Sequence, residues 1–373
     1  MRIALVYEKF VSEGGLEKYL LGFTRTLIKR NPGEIHVVTS LTDAVTEDLP
    51  VKVHKLARPM LPFGLRLLHF DRRAKAKLAE LNPDISIGFG RTTGQDFHRA
   101  GAGCHRVFSA RHLSLLKRLR IKNQVELSLE RKIFRGRGTR HFVVNSHLVG
   151  SQLQTSYGVD PGRITMIPTA VDSEKFAPVS TSTEREDVRK AYMRRPSEQV
   201  FLFVSREHKR KGLPTLLKAW KDFYRGEKEL GRRPELWIVG PSLNPRWEAF
   251  FRSHSVEVFP NVEDVVPFYQ SADWFVHPTP YDACANTVLQ SMASGLPGII
   301  SESDGATQFV VDGENGLLLA DPESPTAVAE SLRRAYEVSP EQRASMGAKA
   351  REQMLPLTWE SHLDRWIELW EKC

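Results

Sequence analysis

The sequence predicts an α/β protein with two doubly wound domains, and three observations support this. Short apolar segments of strand length alternate with helical patterns along the chain, which is typical of parallel sheets covered by helices on both faces. The alternation runs through two cycles, separated by a polar segment over 168–196. The 373 residues, 41% of them hydrophobic, are enough for two domains. We therefore predict two Rossmann-like domains facing a cleft.

The first cycle is predicted to form an N-terminal domain over residues 1–168. Its strands are expected at 3–7, 35–39, 83–87, 142–144 and 164–167. Its helices are expected at 16–29, 72–81, 113–134 and 147–157, the last capped by Asn145 and Ser146.

The second cycle is predicted to form a C-terminal domain over residues 169–357. Its strands are expected at 200–204, 235–239, 256–259, 274–277 and 298–300, with helices between them. The aromatic-rich final helix, within 358–373, is predicted to cross back to the first domain. The polar segment 168–196 is interpreted as the interdomain crossing.

The charge distribution predicts an anionic partner. The net charge is +8 and the pI is about 9.3. Much of the excess lies in one basic run, formed by Arg111, Lys117, Arg118, Arg120, Lys122, Arg131, Lys132, Arg135, Arg137 and Arg140. Three widely spaced cysteines form no zinc pattern, and no secretory signal or membrane span stands out, so a reduced cytoplasmic protein is expected.

Two loops that follow predicted strands carry candidate ligand-binding groups. Gly14 and Gly15 open the first helix, where backbone N–H groups can approach a phosphate. The loop after the strand 200–204 contains Arg206, Arg210 and Lys211, of which at least one is expected to bind a diphosphate and stabilise its charge. A turn or a solvated basic loop is the structural alternative for each.

The stretch PYDACANTVLQSMASGLP, from Pro280 to Pro297, combines an acid with a helix start. Asp282 precedes the helix, and Asn286 and Thr287 supply free N–H groups at its amino end. A diphosphate suits that helix end, and an acid suits the hydroxyl groups of an attached sugar. A capped core helix with Asp282 in a turn is the bland alternative.

With its surroundings, this stretch resembles the signature region of the retaining glycosyltransferases of family 4, which have the GT-B fold. Asp282 and Gln290 have the spacing of that family's two glutamates. Further matching motifs are Gly14-Gly15, Arg206 with Lys211-Gly212, Asn261-Val262-Glu263-Asp264, Ser294-Gly295-Leu296-Pro297, Asp304-Gly305-Ala306 and Asp312-Gly313-Glu314-Asn315-Gly316. The resemblance covers nearly the whole chain. A narrower resemblance, carried by Thr93-Gly94-Gln95-Asp96 and Arg210-Lys211-Gly212, is to the lipopolysaccharide core glucosyltransferases.

The resemblance implies retaining transfer of a hexose, with glucose favoured, from a UDP-sugar to a lipid-linked saccharide such as lipopolysaccharide core. The C-terminal domain would bind the donor and the N-terminal domain the acceptor. The implied catalytic residues are Asp96, Arg206, Lys211 and Asp282. The implied donor-binding residues are Gly14, Gly15, Arg210, Val262, Ala285, Asn286, Thr287 and Gln290. No cofactor or metal is expected, because fixed cations and a helix end neutralise the diphosphate.

Two positions depart from the family pattern. Gln290 replaces the second glutamate, which in the family holds the ribose hydroxyls, and Gln308 replaces a further glutamate after the glycine loop. A neutral amide accepts hydrogen bonds more weakly than a carboxylate. These departures bear on the affinity for the donor and on its identity.

Two other functions remain open at this stage. A nucleotide-sugar 2-epimerase on the same fold would turn over the donor without an acceptor. A polyanion-binding protein would use the basic run, although no compact set of aromatic residues interleaves it as single-strand nucleic-acid readers require. We expect no nucleic-acid partner.

The basic run also carries leucines, which indicates a membrane-facing helix. Lys117, Arg118 and Arg120 alternate with Leu115, Leu116, Leu119 and Ile121. Such a helix suits an anionic membrane surface or a phosphorylated glycolipid. The protein is therefore expected at the inner face of the cytoplasmic membrane. The alternative is a solvated helix whose leucines face the core.

Overall fold

A computed structural model of the chain describes residues 1–30, 33–136, 138–179, 181–192 and 199–373. The chain divides into two compact units, Met1–Thr169 with Trp359–Cys373 and Ala170–Thr358. Arg137 of the basic run lies outside the described residues, as do Ser180 and residues 193–196 of the predicted crossing.

In the first unit, the described residues form a sheet of seven parallel strands in the order β5-β3-β1-β6-β7-β8-β9. The strands are β1 (Arg2–Val6), β2 (Lys9–Phe10), β3 (Glu34–Thr39), β4 (Leu41–Thr42), β5 (Lys52–Lys55), β6 (Ile85–Gly88), β7 (Phe97–Arg99), β8 (His141–Val144) and β9 (Ile164–Met166), of which β2 and β4 pair separately. The helices are α1 (Gly15–Arg30), α2 (Ala44–Glu47), α3 (Phe63–Leu81), α4 (His105–His112), α5 (Leu115–Arg118), α6 (Ile121–Arg135) and α7 (His147–Tyr157). The strand order changes direction between β1 and β6.

In the second unit, six parallel strands of the described chain are ordered β12-β11-β10-β13-β14-β15. They are β10 (Gln199–Val204), β11 (Pro234–Gly240), β12 (Val256–Pro260), β13 (Trp274–His277), β14 (Gly298–Ser301) and β15 (Leu317–Leu319). The helices are α8 (Ser182–Tyr192), α9 (Leu213–Glu229), α10 (Glu248–Ser253), α11 (Val266–Ser271), α12 (Asn286–Ala293), α13 (Pro325–Tyr336) and α14 (Pro340–Met354). Here the strand order changes direction between β10 and β13.

The last helix, α15 (Trp359–Lys372), belongs to the first unit, although it follows the second in sequence. Leu363, Trp366 and Leu369 are buried in the core that lies beneath α1. His362 Nδ1 lies 2.7 Å from the carbonyl of Pro168, and its Nε2 lies 2.6 Å from the hydroxyl of Tyr19. Burial lowers the pKa of His362 to about 3, so this link is made by a neutral imidazole.

The predicted helix 113–134 is wrong, because it is broken into α5 and α6. Arg120 adopts an extended conformation between them. The side-chain amides of Asn123 and Gln124 donate to the carbonyl of Arg118 at 2.8 and 2.7 Å, replacing the backbone N–H that a continuous helix would supply.

The segment interpreted as a polar crossing contains a helix, α8, which packs in the second unit. Its Arg185 and Arg189 both contact the carboxylate of Asp273, Arg185 at 2.8 Å. Arg343 of α14 and the N–H of Val200 reach the same carboxylate at 3.0 and 2.7 Å. One buried acid therefore joins α8, α14 and β10.

Replacing Asp273 with alanine is expected to lower the stability of the second unit by about 3–5 kcal/mol, because it leaves three arginines without their shared buried partner. The melting temperature should fall by on the order of 10 °C. Differential scanning calorimetry measures this. Asp222→Ala is the matched control, because Asp222 is exposed and pairs with Arg225 in the same helix. Equal melting temperatures for the two variants would contradict the conclusion that Asp273 holds α8, α14 and β10 together.

Candidate active site

The candidate donor site lies at the switch point of the second sheet, where the loops after β10 and β13 emerge side by side. In open α/β sheets, ligands bind at this position. Gly212 begins α9 with φ +85, and a Cβ there would lie 1.9 Å from the carbonyl oxygen of Pro278. The hydroxyl of Thr279 donates to the carbonyl of Arg210 at 3.4 Å. A glycine is therefore required for the two loops to meet this closely.

Two predicted catalytic residues come together here. The ammonium of Lys211 contacts Oδ2 of Asp282, and Arg210 Nη1 lies 4.0 Å from the same oxygen. Arg210 is also held by Glu207, to which its Nε donates at 2.7 Å. Burial, followed by the positive charge of Arg210, lowers the pKa of Lys211 to about 7. An anionic ligand bound next to Lys211 would favour the protonated form of the lysine and so raise its pKa.

The amino end of α12 adjoins this ion pair. Ala285 precedes the helix in an extended conformation, and its own side chain has no cap to offer. The first N–H groups of a helix have no partner within it, and the helix dipole makes this end positive. Asn286 and Thr287, both partly exposed, occupy the first two positions. The arrangement suits a diphosphate whose attached sugar reaches Asp282.

Gln290 lies one turn further along α12. Its Oε1 accepts a hydrogen bond from the buried hydroxyl of Tyr269 at 3.4 Å. Val262 lies in the loop after β12 and packs against the core of the second unit. Arg206 is exposed in the loop after β10.

His277 and Asp304 are two members of this cluster that the sequence analysis did not identify as functional. His277 ends β13 and Asp304 follows β14, and both side chains are fully buried. With Asp282, they offer three donor atoms within 4.8 Å of one another, a spacing that admits a metal ion. The ammonium of Lys211 contacts Asp282 in this group, so we propose that the cluster holds this amine rather than a metal ion. In the sequence, the signal for both residues was their position at or just after the end of a predicted strand.

Asp96 does not fit its predicted catalytic role. Its Oδ2 accepts hydrogen bonds from the N–H and hydroxyl of Ser86 at 3.0 and 2.6 Å, and Arg140 Nε lies 3.2 Å from Oδ1. Ser86 lies near the amino end of β6, and Asp96 directly precedes β7. Ligands bind at the carboxyl ends of parallel strands, which is the opposite edge of the sheet. Asp96 therefore ties two strands and the residue before β8 together.

A cavity of about 230 Å³ lies at the carboxyl edge of the first sheet. Its lining includes aromatic rings together with basic and acidic groups, among them Tyr7, Glu8, Lys9, Phe89, Arg91, His98, Arg99, Glu126 and Phe134. Nδ1 of the buried His98 has no hydrogen-bond partner among the described residues. Gly14 has φ +106 and lies with Gly15 at the start of α1, whose Leu16 also lines the cavity.

The basic segment 115–121, at which the predicted helix is interrupted, is exposed to solvent. Leu115, Leu116, Leu119 and Ile121 are 69–80% exposed, so the alternative in which they face the core is wrong. Lys117 and Arg120 are also exposed, whereas Arg118 donates to the carbonyls of Leu113, at 2.8 Å, and Ala110. Arg118 therefore caps the end of α4. Among the described residues, no helix combines the length and apolar character that a membrane span requires.

Two family models identify the chain as a sugar-transferring enzyme. Residues 198–337 match the family model of the glycosyl transferases group 1, and residues 13–175 match that of glycosyltransferase family 4. The chain belongs to this family of glycosyltransferases.

Two similar proteins match the chain over most of its length, WaaG and HepE. The chain is 22% identical over 347 residues to the lipopolysaccharide glucosyltransferase WaaG of Escherichia coli K12, an alignment that covers 91% of each. The crystal structure of WaaG matches with a TM-score of 0.83 at 21% identity, covering 98% of this chain and 99% of the other. HepE of Anabaena in complex with UDP-glucose matches with a TM-score of 0.76 at 15% identity, covering both chains completely. The predicted two-domain GT-B fold is confirmed.

Proposed function

We propose that the protein transfers glucose from UDP-glucose to a saccharide acceptor carried by a glycolipid such as lipopolysaccharide core, with retention at the anomeric carbon. The observation that carries the proposal is the convergence of Lys211, Asp282 and the amino end of α12 at one switch point. WaaG is named a lipopolysaccharide glucosyltransferase, and HepE binds UDP-glucose, which supports this choice of donor and acceptor.

In the proposed reaction, the second unit stabilises the leaving diphosphate. The bond between the anomeric carbon and the phosphate oxygen breaks, and negative charge grows on UDP. Lys211, Arg206 and the N–H groups of Asn286 and Thr287 receive this charge, so no divalent metal is required. Asp282 orients the sugar. The acceptor oxygen bonds to the anomeric carbon on the face that UDP leaves, and its proton passes to the departing phosphate oxygen.

We assign the acceptor to the cavity of the first unit. Aromatic rings such as Phe89 and Phe134 offer apolar faces to a sugar, and Glu8 and Glu126 offer acceptors to its hydroxyls. Lys9, Arg91 and Arg99 add positive charge, which suits a phosphorylated saccharide.

An assay of transfer tests the proposal. The protein is incubated with radiolabelled UDP-glucose and lipopolysaccharide truncated at the inner core, with and without EDTA. Label in the lipopolysaccharide at both conditions is the expected result, and NMR of the product gives the anomeric configuration. Conversion of the donor sugar without any acceptor would indicate the epimerase instead. Salt-sensitive binding of RNA without transfer would indicate the polyanion-binding protein.

Gln290→Glu is expected to tighten binding of UDP about fivefold, close to 1 kcal/mol, because a carboxylate accepts ribose hydroxyls more strongly than an amide. The hydroxyl of Tyr269, 3.4 Å from Oε1 of Gln290, can donate to either side chain. Isothermal titration calorimetry measures the change. Gln290→Met, which has a similar length and no acceptor oxygen, should weaken binding. Unchanged affinity in both variants would show that residue 290 does not contact ribose.

We further propose that the exposed segment 115–122 binds anionic lipids at the inner face of the cytoplasmic membrane. Lys122 Nζ lies 4.6 Å from the centre of the Phe63 ring, and beside Phe63 the side chains of Met60, Leu61 and Leu65 are exposed. Apolar side chains among lysines and arginines are typical of reversible interfacial binding. Each basic residue near such a surface contributes about 1 kcal/mol.

Binding to anionic vesicles at low salt is expected to fall at least about tenfold in the double variant Lys117→Gln, Arg120→Gln, because two charges leave the surface. Arg118 stays intact because it caps α4. Co-sedimentation with phosphatidylglycerol and with phosphatidylcholine vesicles measures binding. The control is Lys218→Gln, Lys221→Gln, which removes the same charge from exposed positions of α9. The membrane assignment fails if wild-type protein ignores anionic vesicles, or if both double variants bind as it does.

A further inference from the structure

Asp304 is a buried carboxylate at the donor site whose oxygens are turned toward the groups that would bind the diphosphate. Its Oδ1 accepts hydrogen bonds from the N–H of Ala285 at 3.1 Å and from the N–H of Ala306 at 2.8 Å. Ala285 is the N-cap residue, directly before α12. Asp304 therefore anchors the backbone N–H of the N-cap residue, as the reciprocal bond of a capping box does, and it fixes the direction in which the next two N–H groups point.

The backbone of Asp304 is joined to that of Asp282 as well. The N–H of Asp282 donates to the carbonyl of Ser303 at 3.2 Å, and the N–H of Gly305 donates to the carbonyl of Asp282 at 3.1 Å. These bonds form an isolated parallel bridge between Asp282 and Asp304. A displacement of Asp304 would consequently move the proposed sugar-orienting acid.

The other oxygen of Asp304 faces the charged cluster. His277 Nε2 lies 3.3 Å from Oδ2, and a carboxylate oxygen of Asp282 lies within 4.8 Å. Burial alone would raise the pKa of Asp304, but its contact with His277 and the charge of Lys211 lower it, so the carboxylate is ionised. Burial lowers the pKa of His277, which is therefore neutral at pH 7.

We propose that Asp304 is a positioning residue for both groups destined for the donor diphosphate: it holds the amino end of α12 by a hydrogen bond, and its charge favours the ammonium of Lys211, which contacts the neighbouring Asp282. The inference rests on the proposed function, since it assumes that a nucleoside diphosphate occupies this site. It assigns to Asp304 a role through its neighbours, with no contact to the sugar.

The charge of Asp304 matters because Lys211 is buried beside another cation. Burial and Arg210 favour the neutral amine, whereas Asp282, Asp304 and Glu207 favour the ammonium, as does the nearby thiol of Cys284 when it is ionised. Asp304→Asn retains an oxygen for the N–H groups of Ala285 and Ala306 but removes the charge. Lys211 should then lose its proton at a lower pH, and binding of the diphosphate should weaken there.

The test is the affinity for UDP measured by calorimetry from pH 5.5 to 9. Wild-type affinity is expected to fall above pH 7, where free Lys211 is deprotonated. In Asp304→Asn the midpoint of this fall should move down by about one pH unit, which weakens binding about tenfold at pH 8.5. At pH 5.5 the variant should bind at least as well as wild type, because one negative charge near the diphosphate is gone. A merely structural role would lower affinity equally at every pH.

Asp304→Glu and Asp312→Asn complete the set. Asp304→Glu keeps the charge and shifts the cap, so its midpoint should match wild type while its affinity falls. Asp312 is the matched control, because it also accepts a backbone N–H, that of Leu318 at 2.9 Å, and pairs with an arginine. It is not among the groups that we assign to the donor site, so Asp312→Asn should bind UDP as wild type does at every pH. An unmoved midpoint in Asp304→Asn overturns the inference; if that variant does not fold, a shifted midpoint in Asp304→Glu overturns it. Wild-type protein that binds no UDP, GDP, ADP or CDP would overturn the proposed function and the inference with it.

Discussion

Glycosyl transfer by Asp282→Ala is expected to fall at least about 100-fold, or roughly 2.7 kcal/mol in the activation barrier, while the fold persists. Asp282 is the carboxylate that meets Lys211 at the switch point, and we assign it to the sugar of the donor. Its side chain lies in the loop after β13 and is not part of the apolar core, so its removal leaves the packing of the sheet in place.

Initial rates with saturating UDP-glucose, together with thermal unfolding, measure the effect of Asp282→Ala. Asp312→Ala serves as the control, because it removes an exposed carboxylate from a later loop of the same unit. More than about a tenth of wild-type activity in Asp282→Ala, a barrier change below 1.4 kcal/mol, would exclude the assigned role.

Lys211→Ala is expected to lower kcat on the order of 100-fold and to weaken UDP binding much less, because the charge it meets is largest in the transition state. Arg206→Ala should act in the same direction. Lys218→Ala, on an exposed face of α9, is the control. Loss of affinity for UDP at an unchanged kcat would make Lys211 a binding contact alone.

The pKa of about 7 gives Lys211 a further signature in its pH dependence. The protonated form is the competent one, so kcat/KM of the wild-type enzyme should fall as pH rises through 7. Binding of UDP at pH 8.5 should take up close to one proton, seen in calorimetry as a dependence on the ionisation enthalpy of the buffer. Lys211→Arg, which keeps its charge, should show neither effect. Proton uptake that persists in Lys211→Arg would assign the titration to another group.

The elements that the sequence predicted best are those with long, unambiguous patterns. The apolar strands β1, β10 and β11 and the amphipathic helix α1 agree with the structure within a few residues. Shorter strands escaped the analysis, among them β7, with three residues, because so few positions establish no periodicity. The break between α5 and α6 also escaped it, since it depends on where two amide side chains point.

For the candidate site, local sequence was informative about one kind of residue and silent about another. Lys211 and Asp282 could be proposed because each lies in a loop that follows a strand and carries a recognisable motif. His277 could not, because a histidine at the end of a buried strand is an ordinary feature. Asp304 was part of a matching motif, Asp304-Gly305-Ala306, but nothing in that motif assigned it a role. Asp96 shows the converse, since its motif indicated catalysis and its hydrogen bonds to Ser86 indicate support of the sheet.

The amino-acid sequence by itself therefore determined the class of fold, the order of the longer strands and helices along the chain, and the loops that hold the candidate chemistry. These depend on periodicity and on residue type, which are local properties. The tertiary structure decided which strands are neighbours, and so brought the loops after β10, β13 and β14 to one edge of a sheet. It also decided which charges share a buried environment: the ammonium of Lys211 contacts Asp282, whose carboxylate lies within 4.8 Å of Asp304, although Lys211 and Asp304 are 93 positions apart in sequence. Electrostatic energies and pKa values depend on distance in space and on burial, and neither can be obtained from position along a chain.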